Sequence, residues 1–389
     1  MGDGLSSVGG RSSLVTSHSS FDQRPPFVRR GGLRRGGPAT SDQRRITVQK
    51  VSETLEVHCI KDIFLPDPWN YGIAFGFTGY VRKIIKEEKP DIIIANKILF
   101  WTSLSVIWLR LTGHKVIVLT DALVGMTWWP RNRIPKICAA IYAWTLGWLI
   151  LLCAKRVVFF NPQPAGLIKR LGIAKKAEVI PTGIDVASFQ VFKFSSLEGN
   201  ADNLKTCKPA NLQTITYVGR LESVKGVDDL LAVAVPLKKD FLGLNIQVVG
   251  WYKDSHPLVE KFQHEVNFTG LSDDVPAILA KSDIFVLPSY SEGLSNALME
   301  AMACGCACIA TEVGGNRFLI QNGVSGFLYP PGDREALKAH LRRLIEDSAK
   351  RKSLGEAARK RIEKEFDWKA VGEKYGRLFE KWKVESGKY

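Results

Sequence analysis

The apolar run Ile284-Phe285-Val286-Leu287-Pro288 passes through a loop of small residues straight into a helix-period pattern, Leu294 to Ala303. Such a run reads as a buried strand, and the helix that follows it at once commits the surrounding chain to an α/β layout with a parallel sheet. The loop then lies at the carboxyl edge of that sheet, where the first N–H groups of the helix carry partial positive charge and favour an anion. Gly293 and Ser295 leave that approach unobstructed, and Glu292 and Glu300 stand eight residues apart across the junction. Eight residues of helix rise roughly 12 Å, too far for two carboxylates to grip one atom. They can hold the two ends of one elongated anion whose phosphates sit between them. A sugar, a diphosphate and a ribose in series have that layout.

Strand and helix patterns alternate along most of the chain. Leu55 to Ile60, Asp91 to Ala95, Lys115 to Thr120 and Val157 to Asn161 read as strands, with helices over Phe75 to Glu88 and about Thr102 to Leu111. These fall in a first α/β unit, residues 46–190. A polar stretch, 195–213, with Gly199, Asn200, Asn203 and Pro209, reads as a linker. A second unit, 214–368, restarts at Ile215-Thr-Tyr-Val-Gly219 and continues through Leu244–Gly250, Val266–Gly270, Ile284–Pro288 and Ala307–Thr311. An amphipathic stretch, 370–384, closes the chain. Residues 1–45 hold eight arginines against three aspartates, with glycine doublets. They cannot bury enough apolar surface to fold alone and are expected to be irregular.

Composition narrows the partners. The formal charge of +15 admits nucleic acid, an anionic membrane or an anionic small substrate. The basic residues are scattered and no nucleic-acid-binding motif accompanies them, so nucleic acid is excluded. Seven cysteines, none in a metal-ligand spacing, fit a reduced cytoplasmic protein. Residues 1–20 lack the apolar core of a signal peptide, which points the same way.

The second half carries a specific resemblance. Glu292-x7-Glu300 followed by Ala301-Met302-Ala303-Cys304-Gly305 and Thr311-Glu312-Val313-Gly314-Gly315 resembles the signature of the family 4 retaining glycosyltransferases, the group 1 transferases. The likeness runs from about Ile46 to the end and is densest between Thr214 and Asp333. It implies a GT-B fold, two Rossmann-like domains facing a central cleft. It also implies transfer of a hexose-type sugar from a nucleoside-diphosphate sugar to a sugar or lipid-linked acceptor, with retention. The segment 370–384 resembles the terminal helix that crosses back onto the first domain.

Residue by residue, Gly219-Arg220 and Lys225-Gly226 fit the family's Gly-Arg…Lys-Gly pattern. Arg220 and Lys225 are assigned to the charge that grows on the leaving diphosphate, a large catalytic term in a water-poor cleft. Glu292 resembles the residue that touches the donor sugar, and Glu300 the acceptor of ribose hydroxyls. The N–H groups of Gly293, Leu294 and Ser295 meet the phosphates. Gly270-Leu271 resembles the turn lining the base pocket, with plain turn chemistry as the alternative. No Asp-x-Asp pair is present, so neither a metal ion nor another cofactor is expected. Asp273-Asp274 reads as a helix cap near Pro276.

Two departures stand out. Leu14-Val-Thr-Ser-His-Ser19 resembles the family's second strand, so the unit before it is expected to be absent, and Gly9-Gly10 does not replace it. Where many relatives place a histidine after the strand Lys115–Thr120, this chain has Asp121, read either as a cleft residue or as a helix cap. The run Ile137 to Cys153 is uncharged for 17 residues and has basic residues at both ends. It falls short of a bilayer span and implies a helix docked on the sheet, with peripheral membrane contact on the inner face as a further partner. Rival readings are a nucleotide-sugar-binding protein with impaired catalysis and a GT-B sugar-nucleotide epimerase.

Overall fold

The computed structural model describes residues 12–17, 46–50, 55–60, 63–65, 71–96, 98, 101–121, 123, 125–127, 133–189, 213–252 and 255–386. Strands β1 (Ser12–Ser17), β2 (Ile46–Lys50) and β3 (Leu55–Ile60) form one sheet in the order β1-β3-β2, with β1 parallel and β2 antiparallel to β3. The stretch expected to be irregular therefore contains a strand; its other residues up to Arg45, including Gly9-Gly10, lie outside the described set, as does the segment before β1. A hairpin of β4 (Ile63–Leu65) and β5 (Tyr71–Ile73) leads into helix α1 (Phe77–Glu88).

A second sheet is parallel throughout and runs in chain order: β6 (Ile93–Asn96), β7 (Val116–Thr120), β8 (Arg156–Phe159) and β9 (Ala177–Val179). Helix α2 (Ser105–Leu111) connects β6 to β7. Between β7 and β8 come α3 (Arg133–Tyr142), a π-helical turn at Ala143–Gly147, and α4 (Trp148–Cys153). Ile150, Leu151 and Ala154 join Val106, Leu109, Val116, Val118 and Val157 in the core on one face of the sheet.

The second half restarts at β10 (Gln213–Val218), so only the last residue of the expected linker is described, and it opens a strand. With β11 (Leu244–Val249), β12 (Asn267–Gly270), β13 (Ile284–Leu287), β14 (Ala307–Thr311) and β15 (Phe327–Tyr329), it forms a six-stranded sheet. Its order is β12-β11-β10-β13-β14-β15, and every pair is parallel. Counted from β10, this is the doubly wound order 3-2-1-4-5-6, whose ligand crevice opens where the order reverses. That point lies between β10 and β13. All residues of β13 and β14 are buried, Cys308 among them, because helices cover both faces.

Helix α5 (Asn296–Ala303) follows β13, and α6 (Trp368–Ser386) ends the described chain. Helix α6 crosses to the first half: Val371, Leu378 and Trp382 pack with Ile117, Val158 and Ile180 in one buried cluster. Arg156 pairs with Glu385 at the same contact. Two Rossmann-like halves thus share a buried contact through the last helix.

Candidate active site

The reversal point of the six-stranded sheet gathers most of the residues singled out above. Gly219 follows strand β10, and its N–H donates to Val249 O at 2.8 Å. Beneath it Tyr217 donates its hydroxyl to Arg220 O at 2.9 Å, fixing the backbone where the arginine leaves the strand. The Arg220 side chain, about half exposed, pairs with Glu222 at 2.8 Å. A 3-10 turn, Ser223–Lys225, then brings Lys225 back towards β13.

The loop after β13 meets that turn. Tyr290 N donates to Val224 O at 2.8 Å, and Lys225 Nζ donates to Glu292 Oε1 at 2.8 Å. Ser289 Oγ donates to the same Glu292 oxygen at 2.7 Å. The carboxylate is 10% exposed and the lysine 20%. Both contacts use Oε1, so neither occupies Oε2. A charge-assisted pair so little exposed is firmly held, because leaving either member unpaired costs its desolvation.

Helix α5 begins at Asn296, two residues later than the apolar pattern suggested. The reason is capping: Ser295 Oγ accepts from Leu298 N at 3.3 Å, so Ser295 is the N-cap, and Gly293 and Leu294 belong to the loop. The Ser295 hydroxyl is thereby committed to the helix, which leaves main-chain N–H groups as the donors facing an anion. Only Glu300 is helical, so the Glu292–Glu300 separation is not a simple helical rise. Burial pushes the Glu300 carboxyl up from 4.5 to about 7, since the charged form is cut off from water.

The turn after β14 closes onto this loop. Gly315 N donates to Gly293 O at 2.7 Å, and Thr311 Oγ1 donates to Ser289 O at 2.6 Å. Gly314 has φ of +46°, and a Cβ there would fall 1.9 Å from Glu292 O. No other residue fits that approach. The motif Thr311-Glu312-Val313-Gly314-Gly315 therefore seats the backbone of Glu292 and Gly293.

From the first half, Asp121 follows β7 and faces Gly293: a Cβ on Gly293 would sit 3.0 Å from Asp121 Oδ2. Asn161 Nδ2, at the end of β8, donates to Asp121 O at 2.7 Å, and Gln163 Nε2 donates to Asn161 Oδ1 at 2.7 Å. Thr127 Oγ1 extends the chain to Gln163 Oε1 at 2.9 Å. Asp121 thus stands at the cleft, and it caps none of the described helices. Gly270 ends β12, two strands from the reversal point, and Leu271 follows it. Gly270 has φ of +68° with open space around its Cα, which turn chemistry alone accounts for, and Leu271 is exposed. Asp274 caps the following helix, accepting from Ala277 N at 3.1 Å.

Sequence reading missed three supports. Ser289 had the signal of a small polar residue at a buried strand end. Asp229 is a buried carboxylate inside an apolar helix, Val227–Leu237, and it accepts from Tyr290 OH at 2.6 Å and from Arg334 Nε at 2.7 Å. It anchors the loop carrying Glu292 from behind. The Asn161–Gln163–Thr127 network left no sequence signal, since its partners are brought together only by the turns after β7 and β8.

Comparison with known proteins bears on both halves. Residues 203–361 match the family described as "Glycosyl transferases group 1", and residues 14–188 match "Glycosyltransferase Family 4". An uncharacterized glycosyltransferase of Methanocaldococcus jannaschii is 33% identical over 249 residues, 62% of each chain. The match therefore spans less than two thirds of that relative's length. An Escherichia coli protein named UDP-Gal:alpha-D-GlcNAc-diphosphoundecaprenol alpha-1,3-galactosyltransferase is 28% identical over 68% of this chain and 69% of its own. Among solved structures, a sucrose-phosphate synthase from Thermosynechococcus elongatus superposes with a TM-score of 0.70 at 21% identity. It covers 87% of this chain and 86% of that one, and shares the GT-B fold.

Proposed function

We propose that the chain, whose two halves match those two family descriptions, is a group 1 glycosyltransferase of GT-B fold that moves a sugar from a nucleoside diphosphate to an acceptor hydroxyl with retention. The observation that carries this reading is the Lys225–Glu292 pair at 2.8 Å, set where the strand order of the six-stranded sheet reverses and backed by Ser289. Glu292 Oε2 takes a hydroxyl of the donor sugar. Arg220, Lys225 and the N–H groups of Gly293, Leu294 and Ser295 hold the diphosphate. Glu300, ionised, accepts from the ribose.

The reaction then needs little covalent help from the protein. The bond from the anomeric carbon to the diphosphate oxygen breaks as the acceptor oxygen bonds to that carbon from the same face. The acceptor proton passes to a donor phosphate oxygen, and the two cations hold the charge left on the nucleoside diphosphate. The exposed Arg220–Glu222 pair is weak in water, so a diphosphate can draw the guanidinium away from it. Asp121 approaches from the acceptor side. A lipid-linked acceptor is supported by the name of the Escherichia coli relative and by the basic, aromatic-rich first half.

A panel of nucleoside-diphosphate sugars scored by thermal shift, with Glu300→Ala in parallel, tests the reading. A donor that stabilises the wild type and not the variant supports it. No donor-dependent stabilisation across the panel overturns it.

A further inference from the structure

Helices α3 and α4 and the π-turn between them are inside out. The residues turned to the protein are small or lie at the C-terminal end: Ala139, Ala143, Gly147, Ile150, Leu151 and Ala154 are buried. Those turned to solvent are large and apolar. Ile134, Ile137 and Ile141 are 67%, 60% and 61% exposed, and Trp144, Trp148 and Leu152 continue the row, each more than a third exposed. Their spacing of three and four residues makes a single stripe along the helix. A helix of a water-soluble domain has this pattern reversed, and a contiguous apolar stripe of this kind marks an interaction surface.

We propose that this stripe lies in the interfacial region of an anionic lipid bilayer, holding the first half of the protein against the membrane without spanning it. The surface goes beyond the donor site and does not depend on which sugar is transferred. Charge identifies the occupant. Between Asp91 and Glu178 the chain holds twelve lysines and arginines and one acidic residue, Asp121. Four of them border the stripe: exposed Arg133 and Lys136 at its start, exposed Lys155 just past its end, and Arg170 stacked over Trp144 at 4.7 Å. An apolar strip with tryptophans and a basic margin matches acyl chains under anionic headgroups.

Length and composition alone would let Lys136–Cys153 cross a membrane. Its attachments argue against that. Tyr142 OH donates to Ile98 O at 2.8 Å and Trp148 Nε1 to Leu171 O at 3.2 Å, and Lys176 Nζ holds the carbonyls of Leu152 and Ala154 at 2.7 and 2.8 Å. One whole side of the helix is occupied by protein, and β8 follows within three residues of its end. Only the striped side is left for lipid.

The test is co-sedimentation of the full chain with vesicles of phosphatidylcholine alone and of phosphatidylcholine containing about a third phosphatidylglycerol. The comparison variant is Ile137→Gln/Ile141→Gln/Trp144→Gln, whose sites lie on the exposed side. The wild type is expected to partition at least ~10-fold more strongly onto anionic than neutral vesicles, and to weaken as salt rises. The variant is expected to lose ~10-fold or more, with its melting temperature unchanged or raised. Equal sedimentation of wild type and variant overturns the proposal, as does a wild type that stays in the supernatant. A wild type that ignores vesicles but elutes as a dimer, with the variant monomeric, overturns it in favour of a second copy of this chain. Because sedimentation is read without donor, a failure here is distinct from a failure of the donor screen.

Discussion

Asp121 and Gly293 face each other across the cleft so closely that a single added carbon on Gly293 would meet the Asp121 carboxylate at 3.0 Å. One residue follows strand β7 of the first half and the other belongs to the loop after β13 in the second. Gly293→Ala is therefore expected to leave each half folded and to hold the cleft open by a few tenths of an ångström. Misplacement on that scale slows reactions that depend on orientation, so turnover should fall ~10-fold, about 1.4 kcal/mol of barrier. Asp121→Gly in the same chain should recover part of the loss, and a double-mutant cycle on kcat/KM reads the coupling. Additive losses would show that the two residues do not limit closure.

Removing one member of the Lys225–Glu292 pair separates folding from chemistry. Lys225→Met leaves Glu292 with Ser289 as its one hydrogen-bond partner at Oε1. An unpaired, nearly buried carboxylate should cost ~2–4 kcal/mol in urea unfolding. Lys225→Met/Glu292→Gln removes both charges and should recover most of that stability. Activity should not recover: loss of a cation at the leaving group should lower kcat by ~100-fold or more in both variants. A double variant that is both stable and active would show the pair to be structural.

Asp229 holds the Glu292 loop through Tyr290 and balances Arg334. Asp229→Asn keeps the shape but weakens two charge-assisted hydrogen bonds, so stability should drop by ~1–3 kcal/mol. A loosened loop should raise the donor KM more than it lowers kcat. An unchanged KM would locate the network's role in the fold alone.

How much of this was legible beforehand differs by element. Strands β13 and β14 were plain because both faces are buried, so every residue is apolar or small. The three-residue strands β4, β5 and β15 were not, since so short a run has no periodicity to read. The start of α5 was misplaced because Leu294 continues the apolar pattern while the Ser295 cap, a matter of hydrogen bonding, sets the boundary. The motif residues were visible as residues, but the partnership of Lys225 with Glu292 was not, as 67 positions separate them and only the neighbouring of β10 and β13 joins them. The exposed stripe of the first half was visible as apolarity; which side of it faces outward became clear only from the packing of Ala139, Ala143 and Gly147.

The pH dependence of Glu300 provides the sharpest check. Its carboxyl is raised from 4.5 to about 7 by burial, so over that interval the folded protein holds a proton that the unfolded chain releases. The resulting stabilisation is fully present below about pH 4.5 and is lost as pH rises through about 7, a change of order 3 kcal/mol. Glu300→Gln mimics the protonated form at every pH. Its stability should match the wild type near pH 4.5 and exceed it by up to that amount at pH 8, measured by urea unfolding across the range. Donor binding should run the other way: if ribose hydroxyls bond the ionised carboxylate, wild-type affinity falls by up to ~10-fold for each pH unit below about 7, and the variant binds weakly throughout. A stability difference that stays constant with pH would mean that the carboxylate keeps its water. It would then be no more costly to ionise than a surface glutamate.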